Sequence, residues 1–158
     1  MLCLFVAVHL ERAGGGGCQL EEKLVASSAS KFVIIADHRK QADVLGTKWT
    51  KGIPLEVAPS AHRLVCKLVT RMGGVPTLRM ASRKAGPVVT DGGHFVVDAV
   101  FGEVSDPSTL DAQLQAIPGI LETGLFCGMA SHAYFGQADG SVQEWTNSTN
   151  RTIAAVKA

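Results

Sequence analysis

The chain is notable first for its lack of net charge. Lys and Arg together number 15 and Asp and Glu 14, so the formal net charge is +1, and no long basic run stands out. A strongly basic face is what attracts nucleic acid or an anionic membrane surface. Neither partner is therefore expected for this chain.

Metal-binding and redox motifs are also absent from the sequence. Its cysteines contain no CxxC pair and its five histidines no HxxxH spacing, which argues against a zinc site or a thioredoxin-like dithiol. We expect no metal, and we expect the thiols to be reduced, as in a cytosolic protein. The cysteines are Cys3, Cys18, Cys66 and Cys127.

No hydrophobic run is long enough to cross a bilayer. The apolar start, MLCLFVAVHL, ends at Glu11 and Arg12, well short of the roughly 20 residues that a spanning helix needs. It also lacks the basic start and the cleavage site of a secretory signal. We predict a strand here that leads into a glycine loop, and a cytoplasmic protein without a membrane partner.

The first third of the chain is typical of a βαβ unit. A strand at 4–10 precedes four glycines, after which Leu20, Leu24 and Val25 form the apolar stripe of an amphipathic helix. The β-branched run in KFVIIAD, 31–37, predicts a buried strand that ends at Asp37. Strands joined in this way usually pair in parallel.

The middle of the chain predicts a second arrangement, β-α-β-β-α-β, which is the split order of a ferredoxin-like lobe. Ser60 is a plausible N-cap for the first of its helices, and Leu110, Leu114 and Ile117 lie on one face of the second. A hairpin around Asp139-Gly140 then closes the chain. The predicted elements are strand 53–58, helix 61–72, strands 77–81, 88–90 and 94–101, a helix from 106 and strand 120–126.

Together these segments predict an α/β fold of two lobes. We expect a partial Rossmann-like lobe with a parallel sheet over residues 1–52, to which residues 127–158 return, and a ferredoxin-like α+β lobe over residues 53–126.

The glycine run, Gly14 to Gly17, is one candidate binding feature. Backbone amides of a glycine loop at a helix N-terminus bind anions well. The run does not fit a Walker loop, which continues with Gly-Lys-Ser/Thr, or the dinucleotide spacing GxGxxG. A tight turn without a ligand explains the glycines equally well.

Two charged side chains are further candidates. Glu22 could be a solvated helical carboxylate or a general base near an oxyanion loop. Lys40, just after a buried strand, could be an exposed loop lysine or a phosphate-binding cation, since open α/β sheets bind ligands at that end. The turn Asp91-Gly-Gly-His94 is explained by hairpin chemistry alone, and we take it as structural.

Several segments in series carry a family resemblance. The stretch GGGGCQLEEKLVASSASKFVIIADHRKQADVLG resembles the type A family of ribose-5-phosphate isomerases, in its eukaryotic form. The resemblance continues in order through IPLEVAP, GGVPTLRM, AGPVVTDGGHFVVD, AIPGILETGLF and YFGQADGSV. It covers nearly everything from Gly14 to about Trp145.

This resemblance implies a reaction and a set of residues. Such enzymes interconvert D-ribose 5-phosphate and D-ribulose 5-phosphate through an enediolate, in the non-oxidative pentose phosphate pathway, without a metal or organic cofactor. By motif, Glu22 corresponds to the catalytic base and Lys40 to a substrate-binding lysine. Gly14, Gly15 and Gly16 correspond to ligand-binding loop positions. A homo-oligomer is also implied as a possible state.

The chain departs from the family pattern at its start. Ala13 stands where the family has a lysine that helps to stabilise the intermediate. A DGADE-type motif and a phosphate loop are not found in MLCLFVAVHLERA. The resemblance therefore implies that the chain corresponds to the C-terminal part of such an enzyme, and we expect little or no turnover. The alternatives are a non-catalytic chain or partner subunit, and a small-molecule-binding regulatory domain.

Overall fold

The computed structural model describes residues 18–146, together with the backbone of short strands at 3–5 and 150–153. The helices are α1 (Gln19–Ser28), α2 (His62–Arg71) and α3 (Pro107–Gln115). The strands are β1 (Cys3–Phe5), β2 (Val33–Asp37), β3 (Ile53–Val57), β4 (Val75–Leu78), β5 (Phe95–Val100), β6 (Ile120–Thr123), β7 (Leu125–Cys127), β8 (His132–Gly136), β9 (Val142–Thr146) and β10 (Asn150–Ile153).

The middle of the chain forms an antiparallel sheet in the order β4-β5-β3-β6. α2 connects β3 to β4 and α3 connects β5 to β6, so the predicted β-α-β-β-α-β order is confirmed. All five residues of β3 are buried, and Val65 and Val69 of α2 are fully buried in the same core as Leu114 of α3. The apolar faces of the two helices and the sheet therefore form this core, as their spacing predicts.

A second sheet has the order β10-β9-β8-β2, in which β2 runs parallel to β8. The parallel pairing of the predicted fold class is thus present, but the predicted partner of β2 was wrong. β1 pairs antiparallel with β7 instead, so the strand before the glycines does not join β2. Sequence order favours neighbouring strands as partners, whereas the pairing itself depends on packing between segments far apart in the chain. The division into lobes at residues 52 and 126 stays a prediction.

The predicted apolar stripe of α1 was wrong. Leu24 and Val25 are 61% and 69% exposed, while the buried positions of the helix are Gln19, Lys23 and Ala26. Ion pairing of Lys23 turns this face inward, which hydrophobic periodicity does not anticipate. β2 was also predicted to be buried, yet Ile35 is 83% exposed on this edge strand.

Three further element predictions needed correction. Ser60 lies within a 3-10 turn, Pro59–Ala61, and Ala61 is the N-cap of α2 without a side-chain hydrogen bond. The predicted strand 120–126 is divided between β6 and β7 at Gly124, where a Cβ would lie 2.5 Å from Pro54. Within residues 88–90, Val89 forms an isolated bridge with Phe95, and no strand is formed. In each case a tertiary contact or a local turn overrides the strand or cap preference of the residues.

The thiols do not all follow the expectation of a reduced state. Cys18 and Cys66 are free, but Cys127 is disulfide-bonded. In the β1–β7 pair Cys3 is the register partner of Cys127. Cysteine spacing along the chain does not reveal such a juxtaposition, because it depends on strand pairing.

Among the described residues, no helix has both the length and the apolar character that a membrane span requires.

Candidate active site

Glu22 lies in the first turn of α1, and the helix end that carries it is attached to β3. The first intrahelical hydrogen bond runs from the Glu22 amide to the Cys18 carbonyl, at 2.9 Å. The amides of a helix before this point have no partner within the helix. Cys18, the N-cap, provides no side-chain acceptor, and the Leu20 amide instead donates to Oε2 of Glu56 at 3.0 Å.

Glu56 is a fully buried carboxylate near the C-terminal end of β3. Besides the Leu20 amide, it has two side-chain partners: the Thr90 hydroxyl donates to Oε1 at 2.8 Å, and Nδ1 of His94 lies 2.9 Å from the same oxygen. A buried charge of this kind requires donors in place of water. The signal for this residue in the sequence is that Glu56 interrupts the otherwise apolar strand IPLEV.

The surroundings of Glu22 favour its neutral form. Partial burial raises the pKa of the Glu22 carboxyl above its usual value, and the nearby carboxylates of Glu56 and Glu21 raise the pKa further. A general base is most effective when its pKa lies near the working pH. These surroundings distinguish Glu22 from an ordinary solvated glutamate and favour a role in proton transfer.

The hairpin that begins at Thr90 packs beside this helix end. A Cβ on Gly92 would lie 3.0 Å from Oε1 of Glu21, and the Cys18 thiol is 3.5 Å from Oδ2 of Asp91. Burial raises the pKa of the Cys18 thiol, so the group is a weak donor rather than a reactive thiolate. The sequence of this turn is explained by hairpin chemistry alone, whereas the structure brings it next to the helix turn of the candidate base.

Lys23, the neighbour of Glu22, fixes the opposite side of α1. Its Nζ lies 2.6 Å from Oε1 of Glu122 and 3.8 Å from Oδ1 of Asp111, and it donates to the Thr123 hydroxyl at 3.2 Å. These contacts attach α1 to β6 and α3. Glu22 thus lies on a helix that charged, largely buried groups hold on two sides.

Lys40 lies in a different environment. It ends the 3-10 turn His38–Lys40, its side chain is exposed, and Nζ is 5.7 Å from the centre of the Trp49 ring. The turn is fixed by Asp37, whose hydrogen bonds from Arg39 lower the pKa of its carboxyl to about 2. Among the described residues, no ion pair joins Lys40 to Glu22.

Gly14, Gly15 and Gly16 lie outside the described residues, so their part in the site stays a prediction. Close to where they join α1, Oε1 of Gln19 and Oε2 of Glu21 are buried without a hydrogen-bond partner. Within the described ranges, no three His, Cys, Asp or Glu side chains are grouped so that they could hold a metal ion.

An apolar cavity of about 110 Å³ lies elsewhere, between the loop before β3 and the end of β5. Its lining includes Trp49, Ile53, Phe101 and Val104. No carboxylate lines it, so the cavity offers no proton-transfer group and we do not assign the chemistry to it.

The two sheets and the half-buried glutamate at the start of α1 define an α/β protein with a candidate carboxylate base. The family model for ribose 5-phosphate isomerase A (phosphoriboisomerase A) matches residues 12–140. The chain belongs to this family, as the resemblance of its motifs predicts.

Curated relatives agree with this assignment. Ribose-5-phosphate isomerase of Sus scrofa is 52% identical over 130 residues, which cover 82% of this chain and 42% of that protein. The enzyme of the same name from Dictyostelium discoideum is 52% identical over 131 residues, covering 81% of this chain and 56% of that protein. The chain thus spans about half the length of these relatives.

Solved structures share the fold. Ribose 5-phosphate isomerase A from Methanocaldococcus jannaschii matches with a TM-score of 0.76 at 36% identity, over 83% of this chain and 56% of that one. A D-ribose-5-phosphate isomerase solved in complex with phospho-erythronic acid matches with the same TM-score, 0.76, at 33% identity, over 81% and 55% of the two chains.

Proposed function

We propose that this chain provides the proton-transfer half of a ribose-5-phosphate isomerase site, with Glu22 as the base. The observation that supports this most directly is the raised pKa of Glu22, at a helix start held by Glu56. An aldose–ketose interconversion needs one group that removes a proton beside the carbonyl and returns it to the neighbouring carbon. A single carboxylate whose pKa is raised above its usual value is suited to both steps.

The negative charge of the enediolate requires donors directed at the developing oxyanion. We propose that amides of Gly14, Gly15 and Gly16 supply them, because these residues directly precede the helix start that carries Glu22. A glycine run places several unblocked amides together. No metal or organic cofactor takes part in this proposal.

We propose that Lys40 binds the phosphate group of the substrate. Its exposed ammonium follows the carboxyl end of β2, the end of a parallel pair at which ligands bind in open α/β sheets. The complex with phospho-erythronic acid is one of the related enzyme, and it supports a sugar phosphate as the ligand here. We further propose a cytoplasmic location and a homo-oligomeric state.

The test is turnover of D-ribose 5-phosphate by the purified chain, followed by proton NMR in heavy water. Exchange of the proton beside the carbonyl reports abstraction even where net conversion is slow. Glu22→Gln should reduce exchange by at least about a hundredfold, the usual contribution of a general base. Glu103→Gln, which changes an exposed carboxylate, should leave it unchanged.

Ala13→Lys is the companion variant, because the family has a lysine at this position. One preorganised donor to an oxyanion contributes about 10²–10³ in rate, so the variant should raise the exchange rate markedly. Exchange that persists in Glu22→Gln would refute the base assignment. No exchange by either the original chain or Ala13→Lys would refute the proposed activity and favour a non-catalytic partner subunit.

A further inference from the structure

Glu56 shows an unusual combination of burial and partners. Its side chain is fully buried, yet it is bonded to three different segments: the first turn of α1, Thr90 before the hairpin turn and His94 after it. Thr90 is itself buried, and its hydroxyl also accepts a hydrogen bond from the His94 amide at 3.1 Å. The carboxylate is therefore the common partner of groups that otherwise share no strand or helix.

From this geometry we infer that Glu56 is a positioning residue for the candidate base: it fixes the first turn of α1 against β3 and holds its carboxyl group beside the turn that carries Glu22. This inference rests on the proposed role of Glu22. Thr90 and His94 act one step further out, because they hold the carboxylate of Glu56 in the orientation that the Leu20 amide requires.

The positioning effect follows from the hydrogen bond to Leu20. Since the first amides of a helix have no intrahelical acceptor, the Glu56 carboxylate takes the place of an N-cap side chain, which Cys18 does not supply. Glu22 is two residues further along the same turn. Its side-chain position relative to β3 therefore depends on this contact.

The electrostatic effect follows from the charges around Glu22. The carboxylates of Glu56 and Glu21 both raise its pKa. Lys23 is directed to the other side of α1, where its charge is met by carboxylates of β6 and α3. The titratable groups on the elements packed around this turn are Glu21 and Lys23 of α1, Glu56 of β3, Glu122 of β6, Asp111 of α3, and Asp91 and His94 of the hairpin.

Two variants separate the two effects. Glu56→Gln removes the charge but retains a carbonyl oxygen that can accept from Leu20, while Thr90 and His94 can accept from its amide. Glu56→Leu removes both the charge and the acceptor. Glu144→Gln is the matched control, because Glu144 is also a buried strand carboxylate that accepts from a hydroxyl, that of Tyr134 at 2.7 Å, but lies in the other sheet.

The measurements are carbon-13 NMR titration of the Glu22 carboxyl and hydrogen exchange of the Leu20 amide, neither of which requires turnover. In Glu56→Gln the pKa of Glu22 should fall, while the Leu20 amide remains protected. In Glu56→Leu the pKa should fall and the amide should exchange about tenfold faster or more, since a hydrogen bond to a charged group is lost. Glu144→Gln should change neither quantity.

An unchanged Glu22 pKa in Glu56→Gln, or an equal fall in Glu144→Gln, would overturn the electrostatic part. If Glu56→Leu does not fold, Glu56→Gln alone decides. A protected Leu20 amide together with a lower Glu22 pKa in Glu56→Gln then supports the inference, whereas loss of Leu20 protection in Glu56→Gln overturns it. Where turnover is measurable, the acid limb of its pH profile should move to lower pH in Glu56→Gln, because Glu22 must be deprotonated to act. Absence of turnover in the original chain would refute the proposed function alone.

Discussion

Replacing Lys23 by Met tests how α1 is held in place. The substitution keeps the length and apolar stem of the side chain but removes the ammonium group that Glu122 and Asp111 share. Both carboxylates then lose this cation, in a region where burial limits their hydration. The helix start that carries Glu22 should loosen as a result.

The expected cost follows from the exposure of the three side chains. The side chains of Lys23, Glu122 and Asp111 are 9%, 14% and 18% exposed. The Lys23–Glu122 contact therefore resembles a buried ion pair more than a surface one. Breaking a buried pair costs about 3–5 kcal/mol. Glu122 retains hydrogen bonds from Gln115 and from the Thr123 amide, both at 2.8 Å, so we expect the lower end, about 3 kcal/mol.

Thermal and urea unfolding of the variant provide the assay. A loss of about 3 kcal/mol corresponds to a fall in Tm of about 6–12 °C for a chain of this length. Lys67→Met, at an exposed position of α2, is the control and should be neutral. Adding Glu122→Gln to Lys23→Met should recover part of the loss, since the unpaired charge is removed. A Lys23→Met variant as stable as the control would refute the reasoning.

The remaining predictions concern single positions. Because the pKa of Glu22 is raised in the folded state, its ionisation opposes folding: the stability associated with its protonated form is complete at acid pH and lost as the pH rises through the raised pKa. Glu22→Gln should therefore increase stability at about pH 7 but not at about pH 4, as thermal unfolding at the two pH values can show. Ile35→Lys should reduce self-association in light scattering with little change in Tm, because Ile35 is exposed on an edge strand; unchanged scattering would contradict this. Alanine at a positive φ is strained by about 1–2 kcal/mol. Gly46→Ala should lower the free energy of unfolding by well over this amount, since the new Cβ would lie 1.9 Å from the Gly102 carbonyl oxygen. Gly73→Ala should lower it by the strain alone, because Gly73 is also at positive φ but a Cβ there would have nothing within 4 Å. Equal unfolding free energies for the two variants would contradict the steric argument.

The sequence predicts the antiparallel sheet and its helices well because their signals are local. The apolar run of β3, the spacing of Val65 and Val69 in α2, and the cap of α3 at Asp106 are each contained within one short segment. Gly73, which follows the C-cap of α2, has a φ of 87°, a conformation that favours glycine at helix ends. Burial of an apolar face and the conformational freedom of glycine act over a few residues, so they can be inferred without the tertiary structure.

Pairing and packing over long distances in the chain were predicted less well. The buried face of α1 depends on Lys23, which pairs with a carboxylate about a hundred positions further along the chain. The parallel partner of β2 is β8, and the whole antiparallel sheet with its helices lies between these two strands in the sequence. A pattern of apolar residues does not indicate such contacts, because the gain comes from charges brought together only in the folded chain.

The sequence by itself determined the family and the candidate base, because the motif around Glu22 is continuous and specific in its order. Only the tertiary structure decided what surrounds that base. It brought the buried carboxylate of Glu56 from β3 and the groups of Thr90 and His94 from the hairpin to the first turn of α1. The pKa of a carboxyl group depends on its burial and on charges within a few ångströms, and these are properties of the fold rather than of neighbouring residues in the chain.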